Sequence, residues 1–202
     1  MQTAHELFLH ELGDMLDAEK KLVEALGEQA EESSRPEVKK AFEMHQRQTE
    51  GQVERLQRVF EELGESPDES ECKGIKGLKE EHDTFKEEDP SGDILDIFNV
   101  GAAKKVEKYE ITAYESLIEL AGQMGHNKAS KLLNQNLREE QQTLKRMEAL
   151  GKKLKPERMG MGEEEGEEME STTSERRPSR STRSGSSRSS SRSRGRSRRS
   201  AA

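Results

Sequence analysis

Apolar residues recur along this chain at helical spacing in four long runs. In the first, Ala4, Leu7/Phe8, Leu12, Met15, Leu22 and Leu26 form one stripe. Thr3, followed three residues later by Glu6, predicts a capping box, so this helix is expected from about Thr3 to Glu32. Ser33-Ser34-Arg35-Pro36 then breaks the chain, with Ser34 read as the N-cap and Pro36 in the first turn of the next helix. That second run carries Val38, Phe42, Val53, Leu56, Val59/Phe60 and Leu63, and Gly64 closes it. Residues 64–72 read as a loop. Residues 73–88 hold Ile75, Leu78 and Phe85 but two glycines, which predicts a short, weaker helix. The third long helix is expected over Gly92–Gln123 and the fourth over Asn127–Leu154. Short turns within each pair of long helices imply antiparallel hairpins, and the longer middle passage must carry the chain across. The pattern is all-α: an antiparallel four-helix bundle with a short extra helix in the crossover.

The residues that interrupt the apolar faces are more informative than the faces. Stepping by three and four, the first helix reads Phe8, Leu12, Met15, Glu19, Leu22, Leu26, so Glu19 falls where an apolar residue is due. The second reads Val38, Phe42, His45, Thr49, Gln52, Leu56, and the fourth Ala129, Leu133, Asn136, Glu140, Thr143, Met147, Leu150. The third has a wider apolar face that includes Glu107 and Glu110. All four helices turn polar near their middles, and in an antiparallel bundle the middles meet. Buried ionised carboxylates cost several kcal/mol or more unless they are paired, protonated or bound to metal. A metal pair held by inward-pointing Glu and His from four helices is the known solution in such bundles. Carboxylates with at most one imidazole favour iron or manganese. Among 42 acidic residues any single Glu on a stripe reads as a salt-bridged or solvated boundary residue; the coincidence at four helix centres is what favours a site. His45 alone would read as a core hydrogen-bonder, and Tyr109 and Tyr114 as core residues. The run KEEHDTFKEE reads as a solvated face.

Composition divides the chain near Pro156. The bundle is placed at 1–155 and a disordered tail at 156–202. Beyond Pro156, 11 Arg stand against 8 acidic residues, so the tail carries +3 and the rest of the −8 chain carries −11. An acidic body argues against the bundle itself gripping nucleic acid or an anionic membrane. The single Cys72 excludes an intramolecular disulfide framework. No apolar run approaches the ~20 residues of a membrane span, and the start MQTAHELFLHEL lacks the pattern of a signal peptide. A soluble cytoplasmic protein is the simplest reading.

Several runs carry a family likeness: LFLHELGDMLDAEKKLVEAL, SSRPEVKKAFEMHQRQTEGQVERLQRVFEELG, CKGIKGL, AAKKVEKYEITAYESLIELAGQMG and KLLNQNLREE. In this order, over about residues 5–150, the chain resembles the YciE/YciF-type ferritin-like proteins. The resemblance implies a ferritin-like bundle related to rubrerythrins, an association with stress responses, and a homodimer. It implies no established activity, and whether the chain is an enzyme stays open. For the metal ligands of ferritin-like proteins, it places Glu19 on the first helix, Glu107 and Glu110 on the third and Glu140 on the fourth. The Glu-x-x-His of the second helix falls on Thr49 and Gln52, and that of the fourth on Glu140 and Thr143. Both expected histidines are absent. His45, one turn away, and Glu50, one residue off the stripe, are the stand-ins on the second helix. A weakly held iron or manganese ion and a core of carboxylates sharing protons both fit this pattern.

The tail opens acidic (157–170) and continues with ten Arg among many Ser at 176–199. It cannot bury enough apolar surface to order itself. Dense Arg suits salt-sensitive, sequence-independent contacts with nucleic-acid phosphates; a flexible solubilising tail is the other reading. Two functions therefore compete: a metal-binding stress-associated bundle, and a non-enzymatic dimeric bundle whose tail binds nucleic acid. A purely structural interaction bundle is a third.

Overall fold

The computed structural model describes residues 1–67 and 70–154. They form five helices: α1 (Ala4–Glu32), α2 (Pro36–Leu63), α3 (Lys73–Lys86), α4 (Gly92–Gln123) and α5 (Asn127–Gly151). These are the four long helices and the short one expected from periodicity. The last ends at Gly151 rather than Leu154, although Leu154 remains buried.

The helix ends follow local chemistry. At the start of α1 the Thr3 hydroxyl accepts from the Glu6 N–H at 3.1 Å, and the Glu6 carboxylate accepts from the Thr3 N–H at 3.2 Å. The start of α2 departs from expectation. Arg35, not Ser34, is the N-cap, and Pro36 is the first helical residue. The backbone N–H groups of Ser34 and Arg35 donate at 3.1 and 3.0 Å to the Asp96 carboxylate on α4. A carboxylate distant in sequence thus satisfies this turn, and Ser34 instead packs where a Cβ on Gly92 would collide with its hydroxyl. Gly64 and Gly125 end α2 and α4 with φ of 72° and 75°, a region other L-residues rarely adopt.

Contacts at the helix ends fix the topology. His126 lies against Phe8, and Lys128 pairs with Glu62 at 2.7 Å, so the start of α1, the end of α2 and the start of α5 share one end. Asp96 and Asp93 of α4 meet Ser34 and Arg35, so α2 and α4 start together at the other. Each long helix is antiparallel to both neighbours in the order α1, α2, α5, α4. The crossover runs back along α1. The Cys72 N–H donates to Asp17 at 2.7 Å, and Lys86 pairs with Glu32 at the far end of α1. α3 packs on α1 and α4.

The core is apolar at both ends and polar between them. Phe8, Leu12, Leu56, Phe60, Leu117 and Leu133 fill one end, and Leu26, Val38, Phe42, Val100 and Met147 the other. Glu19, His45, Thr49, Gln52, Glu107, Glu110, Asn136, Glu140 and Thr143 lie buried in the middle. One reading is corrected: His82, in the run KEEHDTFKEE, is buried beside Phe98 rather than solvated. Asp96 and Asn99 are also buried. The acidic run at 157–170, the Arg/Ser run at 176–199 and the boundary at 155/156 lie outside the described residues. No helix among the described residues is long and apolar enough to cross a membrane.

Asp96→Ala is expected to cost about 1–3 kcal/mol in chemical denaturation, because it strips the partner from two backbone donors at the start of α2. Asp93→Ala, which removes only a surface ion pair with Arg35, is expected to cost less than about 1 kcal/mol. Equal losses would mean the Asp96 contacts do not organise this junction.

Candidate metal centre

The middles of three helices supply the centre. His45 comes from α2, Glu107 and Glu110 from one turn of α4, and Glu140 from α5. The spacing of 107 and 110 puts both carboxylates on the inner face of α4. One ligand-type atom from each of these four buried residues lies within 4.8 Å of the others. Glu19, on α1, is fully buried beside them but outside this group of four. Glu50, the other stand-in from the sequence, points away: one residue off the stripe, it sits on the exposed face of α2. Of the two stand-ins, the structure brings His45 to the cluster and leaves Glu50 in solvent.

The polar atoms here are unusually short of partners. Apart from a proton shared between the Glu107 and Glu140 carboxyls, neither nitrogen of His45, no carboxyl oxygen of Glu107 or Glu110, and only one each of Glu19 and Glu140 has a hydrogen bond. His45 Nε2 approaches Glu107 Oε1 to 3.0 Å without hydrogen-bond geometry. It is not an ion pair either. Burial, helped by the Arg146 charge, lowers the His45 pKa to about 4 and keeps the ring neutral. Burial, then the charge and hydrogen bond of Glu140, pushes Glu107 up to about 11. Burial and the neighbouring carboxylates hold Glu19 and Glu110 well above the usual range. Glu140 is raised less, to about 7, because hydrogen bonds from Glu107 and Gln52 oppose its burial. Without a cation, and below about pH 7, the centre is therefore a set of largely neutral carboxylic acids around a neutral imidazole.

A second tier of side chains pins the edges. The Tyr114 hydroxyl donates to Glu19 and accepts from Asn136 Nδ2 at 2.8 Å. Arg55 donates to Asn136 and to Glu139, closing a chain from the core to the surface. The two positions where the family resemblance expects histidine are taken by hydrogen-bonding residues. Gln52 donates to Glu140, and Thr143 accepts from Gln48 at 2.8 Å. Periodicity had placed Tyr114 in the core without assigning its partner. Arg55 went unnoticed, since an Arg at the edge of a helix stripe looks like any solvated charge; its i, i+3 spacing from Gln52 was the available signal.

The residues present fit a divalent cation. Three carboxyl groups and one neutral imidazole, buried and with most of their ligand atoms unpartnered, form an oxygen-rich donor set suited to iron or manganese rather than copper. Metal ligands must be deprotonated, so a cation would replace the protons these acids hold.

Comparison with known proteins bears on this geometry. The sequence profile of a family described as "Domain of unknown function (DUF892)" matches residues 3–159. Protein YciF of Escherichia coli K12 is 38% identical over 144 residues, covering 71% of this chain and 87% of that protein. The crystal structure described as that of the E. coli stress protein YciF superposes with a TM-score of 0.73 at 35% identity, over 76% of this chain and 98% of that one. A structure of YcfI, described as a putative structural protein of Rhodopseudomonas palustris, gives 0.71 at 34% identity, over 73% and 94%. A protein of Xanthomonas campestris pv. campestris, at 18% identity and 0.61 over 78% and 96%, shares the fold. The chain belongs to the DUF892 family, of the YciE/YciF type.

The carboxyl shifts set a pH dependence for the metal-free protein. Below the ordinary Glu value of 4.5 these groups are protonated whether folded or not. As pH rises the unfolded chain ionises first, so stability falls until pH passes each folded value, about 7 for Glu140 and about 11 for Glu107. His45 acts oppositely: its stabilising contribution is complete above 6.5 and is lost as pH falls to about 4. From about pH 6.5 to 9 only the carboxyl contribution remains. Tm measured in chelator is therefore expected to fall across that range, and less steeply in Glu110→Gln. A flat or rising Tm would mean the carboxyls are already ionised in the folded state.

Proposed function

We propose that this DUF892-family chain is a metal-binding bundle that holds one iron or manganese ion between His45, Glu107, Glu110 and Glu140 and serves in a stress response. The observation that carries this reading is the convergence of four buried ligand groups whose contacting atoms lie within 4.8 Å and are largely without hydrogen-bond partners. A purely structural polar core would be expected to satisfy those atoms among themselves. The count of one ion rests on Gln52 and Thr143, which stand where the ferritin-like di-metal pattern has its two histidines and are tied into hydrogen bonds of their own. Tyr114 holds Glu19 at the edge of the site as a neighbouring carboxyl rather than a fifth member of the group.

A bound iron or manganese ion would supply one-electron redox chemistry and Lewis acidity at this point. The chain's own contribution is to exclude water, to keep His45 neutral and to orient Glu140 through Gln52. The stress role is taken from the description of the E. coli relative. A homodimer is added by the family resemblance, and a cytoplasmic location by the reading of the sequence.

Protein purified without chelator and titrated anaerobically with Fe(II) or Mn(II) is expected to bind one ion per chain. Glu110→Ala and Glu140→Ala are expected to weaken binding by roughly tenfold or more, while Glu50→Ala leaves it unchanged. Saturation should also raise thermal stability, by about 3 kcal/mol at a hundredfold excess over Kd. No bound metal after loading, with no thermal shift in Mn(II), would overturn the reading.

A further inference from the structure

The centre is closed to bulk solvent: the His45 and Glu107 side chains are 1% and 0% exposed. A neutral imidazole has one donor and one acceptor nitrogen, and the partner of one nitrogen decides the role of the other. Histidines that bind metal almost always have such a partner. Among the described residues no protein group makes that choice for His45. Both its nitrogens lack a hydrogen bond, and Glu107 meets Nε2 at 3.0 Å without hydrogen-bond geometry.

A cavity of about 40 Å³ lies beside this ring, between α1, α3 and α4. Ala25, Ala103 and Val106 leave it room, and its uncharged polar lining is Gln29 of α1, His45 of α2 and His82 of α3. His82 is 5% exposed. Asp83 Oδ1 lies 3.3 Å from its Nδ1; a carboxylate only accepts, so Nδ1 is the donor there. Its Nε2 has no partner, since Glu32 Oε2 at 3.7 Å is beyond hydrogen-bond reach. Two buried imidazoles with unpartnered nitrogens therefore line one space. That space exceeds the ~10–15 Å³ one water needs, and the two rings with the Gln29 amide supply the two to four polar partners a buried water requires. Lys79 of α3 pairs with Glu28 of α1 at 2.9 Å, fastening the short helix at the rim.

We infer that this cavity holds ordered water bridging His45 to His82 and Gln29, and that His82, acting through the water, is a positioning residue that fixes the ring and tautomer of His45. The short helix α3 thereby gains a part in the centre, although it supplies none of the four grouped side chains. That a fixed ring strengthens metal binding rests on the metal reading above; the water and the tautomer do not.

Metal-free full-length protein separates the two. Heteronuclear NMR of the imidazole nitrogens near neutral pH is expected to show a single His45 tautomer, with cross-peaks from long-lived water to the His45 and His82 ring protons. His82→Phe keeps a ring but removes both nitrogens and should leave the His45 tautomers mixed. His82→Gln restores a hydrogen-bonding group and should largely recover the single tautomer. A residue that only packs would give the reverse order. If His82→Phe fails to fold, Gln29→Leu tests the same water from the opposite wall. No water cross-peak in the wild-type chain, or an unchanged His45 tautomer in the folded variant, would overturn the inference. In Mn(II) titrations, His82→Phe is expected to weaken binding by roughly tenfold and His82→Gln by less. Equal affinities despite a changed tautomer would overturn the link to the metal. A tautomer change in a chain that takes up no Mn(II) would support the positioning role and overturn the metal reading instead.

Discussion

The cost of removing carboxylates from water governs this structure. Four acidic side chains, Glu19, Glu107, Glu110 and Glu140, are at most 1% exposed in the middle of one bundle. Ionised together and unpaired they would oppose folding by far more than a domain's net stability of about 5–15 kcal/mol. The fold therefore has to keep them neutral or give them a cation. Their raised pKa values are the first answer, and the donor geometry around His45 makes the second available. The apolar ends of the bundle follow from the same constraint. Phe8, Leu56, Phe60 and Leu133 at one end, and Val38, Phe42 and Met147 at the other, exclude water and hold the helices in a register that keeps the acids together.

The hydrogen-bonding residues around the centre decide how much of that cost is relieved locally. Tyr114 satisfies one oxygen of Glu19, and Gln52 one of Glu140. Glu107 has only the Glu140 carboxyl to share a proton with, and Glu110 has no partner. Relief is thus concentrated on the α1 and α5 carboxyls and largely withheld from the pair on α4. Arg55 brings a positive charge near the edge of the group, where it lowers the pKa of Glu19 and Glu140 against their burial. This unequal distribution distinguishes the centre from a closed polar network, in which each member would be satisfied.

Much of this was legible in the residues. The helix boundaries followed from Thr3, Pro36, Gly64 and Gly125, because capping and left-handed turns depend on local chemistry. The polar layer followed from periodicity, since Glu19, Thr49, Gln52, Asn136 and Glu140 each interrupt an apolar stripe. What periodicity cannot give is the choice between neighbours of similar chemistry. Glu50 and His45 were both available on the second helix, and the tertiary packing that turns one inward and the other to solvent is absent from a single helix's pattern. Asp96 and His82 escaped for a related reason: each is buried by helices remote in sequence, Asp96 by the start of α2 and His82 against Glu32 and Phe98. The family likeness supplied fold and order, and its missing histidines marked a departure at Gln52 and Thr143 without saying what those residues do.

The central claim is that protons occupy these carboxyls until a cation replaces them. Calorimetric titration of metal-free protein with Mn(II), in buffers of different ionisation enthalpy, counts the protons exchanged per ion. Near pH 6, where even Glu140 remains largely protonated, the account predicts release of about two or three protons per bound ion. Binding without proton release would contradict it, because the carboxyls would then have been ionised in the buried core from the start.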